Sequence, residues 1–565
     1  MPLARKTQLA VLLTGRISWL DSFLLFLDQR QHASRMLPLL LFDKISRNTV
    51  FILAFMHKKV QYKRTLQPVL MTNAITKIGL IQTSPLPGDF SNNLRAIVQG
   101  YRECLDHGAQ IVIAPAAALC GLEPRNLATR RSFLNQTQAA LETLSKELGT
   151  APLLLSAYTR TITDDELYVG IVGEGDDEDD AWMSKDRCVI LTPFLIEKDS
   201  VTELESNTRF NVAGSTFIAD TTDEEQLPDD VQDYIVRMPV TPWYAGSAQD
   251  DEETRKWEAS MAGSTVICCR AVGSIGGNIY GGGSAIYSHE GQTLARLPFF
   301  ETAAKVIDVT RKTQALHLPE AAELMSNALE RGIRDTVRNN CFSGVCIPLD
   351  HKYSALLGTL CVKALGASNV CGISYSPENK LAEKLGITSY TPKIKGIETA
   401  AAELMNNEET AVLQERIRSA VALTHAESRG MMLCSPLTRR EFMLGEFNMY
   451  GQSAGHLAPL GNLYDVDIYL LSERLKEQYP EIFGTLEAPQ HGTTNRILHE
   501  MADLNTPPSA LLREEMNYLF KENDVRMIQR KIVASAIKRT QIPIILHVDA
   551  PSEQLEFPLG HRLND

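Results

Sequence analysis

The chain has 565 residues, 44% of them hydrophobic and 22% charged; that composition fits globular protein with two or more cores and excludes fibrous, collagenous and wholly disordered classes. The formal net charge of −13 is unevenly spread: residues 1–70 hold eleven Lys/Arg against three Asp and no Glu (net +8), so the other 495 residues carry −21. An acidic body of that size excludes an intrinsic nucleic-acid groove, because phosphate binding needs clustered positive charge.

Residues 1–70 read as a basic extension outside the fold, with Met71 a candidate start. The apolar runs Phe23–Leu27 and Met36–Phe42 are broken by charge before the roughly 18 residues that a membrane span requires. No membrane partner is expected. The acid-poor composition loosely fits a targeting peptide, but no apolar core is followed by a small-residue cleavage site.

From Lys77 the pattern becomes regular. Ile78–Gln82 predicts a strand, and Asn92–Asp106 an amphipathic helix capped by Ser91 and ended by Gly108. Ile111–Pro115 predicts a second strand, the stretch around Thr137–Leu148 a helix, and Pro152–Ser156 a third strand. Further strands are expected at Val212–Ala219, Tyr234–Val240, Thr265–Arg270 and Ser284–Ser288, with a first domain closing near Val309. Helical sequence at Leu318–Asn340 then leads to a buried strand, Gly344–Leu349. A helix from Ser354 to Leu365 and a strand at Asn369–Tyr375 continue the βαβ rhythm, the mark of a second α/β unit.

Ten cysteines are scattered without the C-x2-C pairs or His partners of a zinc site. They read as reduced, mostly buried thiols of a cytoplasmic protein.

Several stretches carry chemistry. Ala114-Pro115-Ala116-Ala117-Ala118-Leu119-Cys120-Gly121-Leu122 follows a strand; Leu167-Tyr168 is followed by Lys185 across the acidic run Asp176–Asp180; Ile218-Ala219-Asp220-Thr221 ends a strand; Gly281-Gly282-Gly283-Ser284 precedes one. Farther on come Pro348-Leu349-Asp350-His351-Lys352-Tyr353 between strand and helix, Gln414-Glu415-Arg416-Ile417-Arg418, and Pro436-Leu437-Thr438-Arg439-Arg440-Glu441. Then follow Tyr450–Leu460, Pro507–Ala510 and Lys538–Pro543. In this order, residues 77–309 resemble the nitrilase-type amidohydrolase domain, and residues 325–565 the synthetase domain, of bacterial glutamine-dependent NAD synthetases. The resemblance implies a nitrilase-like four-layer αββα sandwich over 71–312. A Rossmann-like, adenine-nucleotide-hydrolase-type parallel-sheet domain would follow over 325–565.

The resemblance also says what each stretch should hold. Amide hydrolysis needs a Glu base, a charge-stabilising Lys and a Cys nucleophile, since a thiolate must form and an oxyanion must meet positive charge. The base position of F-P-E-L-x-L-T-G-Y is here Ala116, and the nucleophile position of I-C-E-D is Ala219. Lys185 stands at the lysine position. Neither Cys120 nor Cys188 sits at the strand end that would replace the nucleophile. The synthetase half implies ATP, magnesium and a Ser-Gly-Gly-x-Asp-Ser loop whose glycines let backbone N–H groups approach phosphates. Here both glycines are gone and bulky side chains stand before Ser354. Arg416, Arg418 and Lys538 are the remaining candidates, with Ser354, for nucleotide or dinucleotide binding. Glu441 is the magnesium candidate. The Asp of Y-G-D-x-A-G is Gln452, and the Lys expected soon after is Asp465.

Three functions are compatible with this pattern. The first is a catalytically deficient paralogue that scaffolds or regulates, as a homo-oligomer or together with an active paralogue. The second is a divergent NAD synthetase using ammonia, and the third a sensor of an NAD-type dinucleotide.

Overall fold

The computed structural model describes residues 75–160, 189–221, 233–311, 316–486, 488–489, 491–513 and 519–548. The basic segment 1–70, Lys185 and Cys188 lie outside the described residues.

Among the described residues the first half has fourteen strands: β1 (Lys77–Gln82), β2 (Ile111–Ala116), β3 (Leu153–Arg160), β4 (Val189–Glu197), β5 (Ser200–Glu203), β6 (Arg209–Val212), β7 (Ser215–Asp220), β8 (Tyr234–Arg237), β9 (Thr265–Cys268), β10 (Val272–Ile275), β11 (Asn278–Gly281), β12 (Ala285–Tyr287), β13 (Thr293–Arg296) and β14 (Ala303–Asp308). Two six-stranded sheets result, in the orders β14-β1-β2-β3-β4-β5 and β13-β12-β9-β8-β7-β6. The central strands of each, β1-β2-β3 and β7-β8-β9, run parallel.

Side-chain alternation along these strands sorts the residues into layers. Ile78, Leu80, Ile111, Ile113, Phe217, Ala219, Val236 and Ile267 point between the sheets and share one buried cluster. Their neighbours Ile81, Val112 and Ala114 face outward and meet helices α1 (Phe90–Asp106) and α2 (Arg131–Glu147). On the far side, Ile235, Val266 and Cys268 meet Ala259 of helix α3 (Ser247–Ala262). The order helix, sheet, sheet, helix is the four-layer sandwich expected.

Local chemistry sets several boundaries differently from the sequence expectation. Helix α1 starts at Phe90, and the side chain of Asp89, not Ser91, accepts from the Asn92 N–H. The strand expected over Val212–Ala219 is a hairpin, because Ala213 and Gly214 both have positive φ (48° and 84°), as a two-residue primed turn requires. Strand β8 ends at Arg237, two residues before Pro239, which has no N–H for a sheet.

The second half contains a four-stranded parallel sheet. Its strands are β15 (Gly344–Pro348), β16 (Val370–Ile373), β17 (Thr388–Tyr390) and β18 (Met431–Leu433), in the order β17-β16-β15-β18. Helix α4 (Ala321–Asn339) leads into it, and α5 (Ser354–Leu365) makes the crossover from β15 to β16. Three further helices matter below: α6 (Asn407–Glu427), α7 (Arg439–Leu444) and α8 (Asp465–Gln478). Trp243, Ile279 and Phe300 of the first half enter the same buried cluster as Leu324, Leu357 and Leu546, so one apolar core joins the two halves. Among the described residues no helix is long and apolar enough to cross a membrane.

Candidate functional site

The two sites implied by the sequence lie in different layers. Ala116 closes β2 and Ala219 is the penultimate residue of β7; each is 1% exposed, and both belong to the apolar cluster between the sheets. The tertiary fold thus brings the two positions that the resemblance implies for base and nucleophile into one buried cluster, where each side chain is a methyl group. Immediately after β2 the chain turns through Ala117 with φ 54°, and the Ala117 N–H donates to the Ser156 carbonyl.

A thiol does reach this layer. Cys269 is fully buried in the same cluster, with Sγ 3.4 Å from the Ile81 carbonyl oxygen and 3.7 Å from that of Ile113. Burial pushes it far above the ordinary thiol range. The sequence showed Cys268-Cys269 only as a pair without metal spacing; a period-2 reading of β9 continued by one residue would have turned Cys269 inward. Cys120 lies in a different cluster, against α1 and α2, where burial pushes it up to about 12.

The turn before α5 is filled and tied. Leu349 is buried, and a Cβ on Gly372 would come within 2.4 Å of its Cδ1. Asp350 accepts from the Ser374 hydroxyl (2.7 Å), the Tyr375 N–H (2.6 Å) and Asn379 Nδ2 (3.0 Å). The N–H of His351 goes to Ser354 Oγ (3.1 Å), that of Tyr353 to His351 Nδ1 (3.4 Å) and that of Ser354 to the His351 carbonyl (3.1 Å). Ser354 Oγ itself donates to the Pro348 carbonyl at 2.7 Å. These amides would have to face a pyrophosphate at the helix start, and each is already used inside the turn. Burial lowers the His351 imidazole, leaving it neutral at pH 7.

Across the turn, Tyr353 donates its hydroxyl to Asp465 Oδ1 at 2.6 Å. Asp465 Oδ2 meets Arg440 Nε (3.2 Å) and Asn495 Nδ2 (3.3 Å). Burial alone would raise the Asp465 carboxyl, but the Tyr353 hydrogen bond and the Arg440 charge outweigh it and hold the group below its usual range. The charge reversal noted in the sequence is thus the centre of an internal network.

The other sequence-derived residues are also engaged. Glu441 Oε2 accepts from the N–H and hydroxyl of Thr438, making the capping box of α7, while Oε1 lies 3.5 Å from Lys352 Nζ. Arg416 Nε donates to the Met449 carbonyl (3.1 Å). Arg418 pairs with Glu398 (2.8 Å) and lies over Tyr375. Lys538 Nζ donates to the carbonyls of Gly445 and Phe447, each at 2.7 Å, closing the C-terminal end of α7. Among the described residues no group of three His, Cys, Asp or Glu could hold a metal ion. The amides of His351, Tyr353 and Ser354 are taken up within the turn instead of being left for a phosphate.

Residues 325–491 match the family model described as NAD synthase. The glutamine-dependent NAD(+) synthetase of Synechocystis sp. is 22% identical, covering 82% of this chain and 94% of that protein. Two solved structures share the fold. The glutamine-dependent NAD(+) synthetase of Cytophaga hutchinsonii gives a TM-score of 0.68 at 13% identity, over 84% of this chain and 95% of its own. That of Acinetobacter baumannii, solved with ADP, gives 0.62 at 18% identity, over 87% and 100%. Through both halves, the chain is a homologue of the glutamine-dependent NAD(+) synthetases, with an NAD synthase domain at residues 325–491.

Proposed function

We propose that this chain is a catalytically deficient homologue of glutamine-dependent NAD(+) synthetase, acting as a scaffold or regulator, as a homo-oligomer or beside an active paralogue. The observation that carries this proposal is the pairing of Ala116 and Ala219 in one sealed apolar cluster. A methyl group neither attacks an amide carbon nor takes a proton. Losing nucleophile and base together removes the groups that such hydrolysis depends on for many decades of rate. The turn Pro348–Tyr353 supports the same conclusion for the second half, since the amides of His351 and Tyr353 and the Asp465 carboxylate bond within the protein.

The test is turnover. Purified full-length chain with glutamine, ATP, magnesium and nicotinic acid adenine dinucleotide should form no NAD(+) above the protein-free control, and should release no glutamate. The same mixture with ammonium chloride replacing glutamine should also stay at background. Sustained NAD(+) formation in either mixture overturns the proposal; formation with ammonia alone would identify an ammonia-using synthetase.

A further inference from the structure

Outside both sites, the face of the parallel sheet under α6 carries two thiols side by side. Cys346 of β15 and Cys371 of β16 are direct register partners, and both belong to one buried cluster with Ala422 and Ala426 of α6. Their side chains leave the same face of the sheet, opposite the face that Val345 and Ile347 turn to α5. Directly paired strand residues stand about 5 Å apart, inside the roughly 4.4–6.8 Å between Cα atoms that a disulfide spans.

The two thiols have unequal surroundings. Cys371 Sγ lies 3.9 Å from Nε2 of His425, near the end of α6. Arg429 Nη1 stands 3.0 Å from the other ring nitrogen, Nδ1. A guanidinium only donates, so Nδ1 accepts and Nε2 carries the proton that faces the sulfur. The Tyr390 ring stacks on the imidazole, with centroids 3.9 Å apart and planes 5° from parallel, and fixes its plane. Hydrogen bonds with Cys346, His425 and Thr388 outweigh burial and hold the Cys371 thiol well below the ordinary range. The same bond to Cys371, together with burial, pushes Cys346 up, so that thiol keeps its proton. Cys346 is fully buried and Cys371 is 7% exposed. On its other side Cys371 pairs with Thr388 of the edge strand β17, which is exposed along its length, so only that strand stands between the thiol and solvent there.

We propose that Cys371 and Cys346 form a peroxide-reactive redox pair, with Cys371 as the attacking thiolate and Cys346 as the resolving thiol. The Cys371 sulfur attacks one oxygen of a hydroperoxide; the O–O bond breaks, the other oxygen leaves with a proton as alcohol or water, and the sulfur becomes a sulfenic acid. The Cys346 sulfur then attacks the Cys371 sulfur, the S–O bond breaks, and the departing hydroxide takes the Cys346 proton to give water. One peroxide is reduced by two electrons as two thiols become one disulfide, which a small dithiol reverses by exchange. Cys361 and Cys434, neighbours in the cluster on the α5 face, give an internal comparison: their mutual hydrogen bond and burial push Cys434 up, away from the reactive thiolate. The inference holds whether or not the chain forms NAD(+).

The test adds stoichiometric hydrogen peroxide to the reduced full-length chain and maps thiols and disulfides by mass spectrometry without reduction. The expected product links Cys346 to Cys371, while Cys361 and Cys434 stay reduced. In Cys346→Ala, Cys371 should instead accumulate as a sulfenic acid that dimedone captures. His425→Phe keeps a ring against Tyr390 but removes the donor; it should slow oxidation of Cys371 roughly tenfold while the exposed Cys341 reacts at its former rate. The proposal is overturned if no Cys346–Cys371 linkage forms, if Cys371 is oxidised no faster than Cys361 and Cys434, or if His425→Phe leaves its rate unchanged. Mapping of the parent chain decides the matter if the variants fail to fold.

Discussion

The two implied sites differ in opposite senses. In the sheet sandwich, Ala116 and Ala219 carry methyl groups and lie buried among aliphatic and aromatic side chains. In the parallel-sheet half, the turn before α5 carries bulky side chains, and Asp465 bonds to both Tyr353 and Arg440. An apolar layer accommodates truncation because small residues cost little where neighbours pack tightly. A helix start does not accommodate unsatisfied amides, so a turn without its ligand must supply internal acceptors. The contrast teaches that such sites close by different physics: the first by dehydration, the second by hydrogen bonding.

The sharpest way to break this contrast is to put charge back into the apolar layer. Ala116→Glu should destabilise the chain by about 4–7 kcal/mol at pH 7: about 3.7 kcal/mol for taking up a proton on a carboxyl whose unfolded pKa is about 4.3, plus about 1–3 kcal/mol for overpacking the layer. Because the folded-state pKa would be raised, the deficit should shrink as pH falls through it; urea titrations at pH 7 and pH 5 read both effects. Little loss at pH 7 would show the layer to be open to water. Next in size is Arg237→Met, which leaves Asp220 and Glu258 buried without their shared cation. It should cost about 3–5 kcal/mol in chemical denaturation, and a neutral result would show that these charges are not sealed by α3.

On the filled side the effects are smaller. Tyr353→Phe removes the hydroxyl from Asp465 and should cost about 1–3 kcal/mol in the same assay. The sign of its pH dependence follows from the depressed Asp465 carboxyl. That group's contribution is fully present above its unfolded value, about 3.9, and is lost as pH falls toward the folded one. Asp465→Asn should therefore flatten the acid limb of the stability curve, and an unchanged limb would remove Asp465 from the network. The smallest expected effect is Thr438→Ala, which removes one cap of α7 and should lower stability by about 1 kcal/mol. A much larger loss would mean that Glu441 does more than cap.

Much of the fold could be read along the chain because its signals are local. The continuous apolar runs at Ile111–Pro115 and Gly344–Leu349, and the βαβ spacing around Ser354–Leu365, announced parallel sheets covered on both faces. Where the reading slipped, a short-range rule had competed with another. A single strand is expected over Val212–Ala219, but Ala213-Gly214 supplies the positive φ pair that folds it into a hairpin. The site was less accessible. The positions of Ala116 and Ala219 came from motif order, and nothing local shows that they share one cluster with Cys269.

By itself, then, the sequence determined the α/β class, the two-part organisation after the basic segment, the kinship with NAD synthetases and the residue types at each motif. All of these depend on neighbours within a few turns or on the order of short stretches. Only the tertiary structure decided that Tyr353 meets Asp465, which is 112 residues away, and that Lys538 closes the end of α7. Those outcomes depend on which distant donors and acceptors the packed layers bring within about 3 Å of each other, and neither periodicity nor spacing records that.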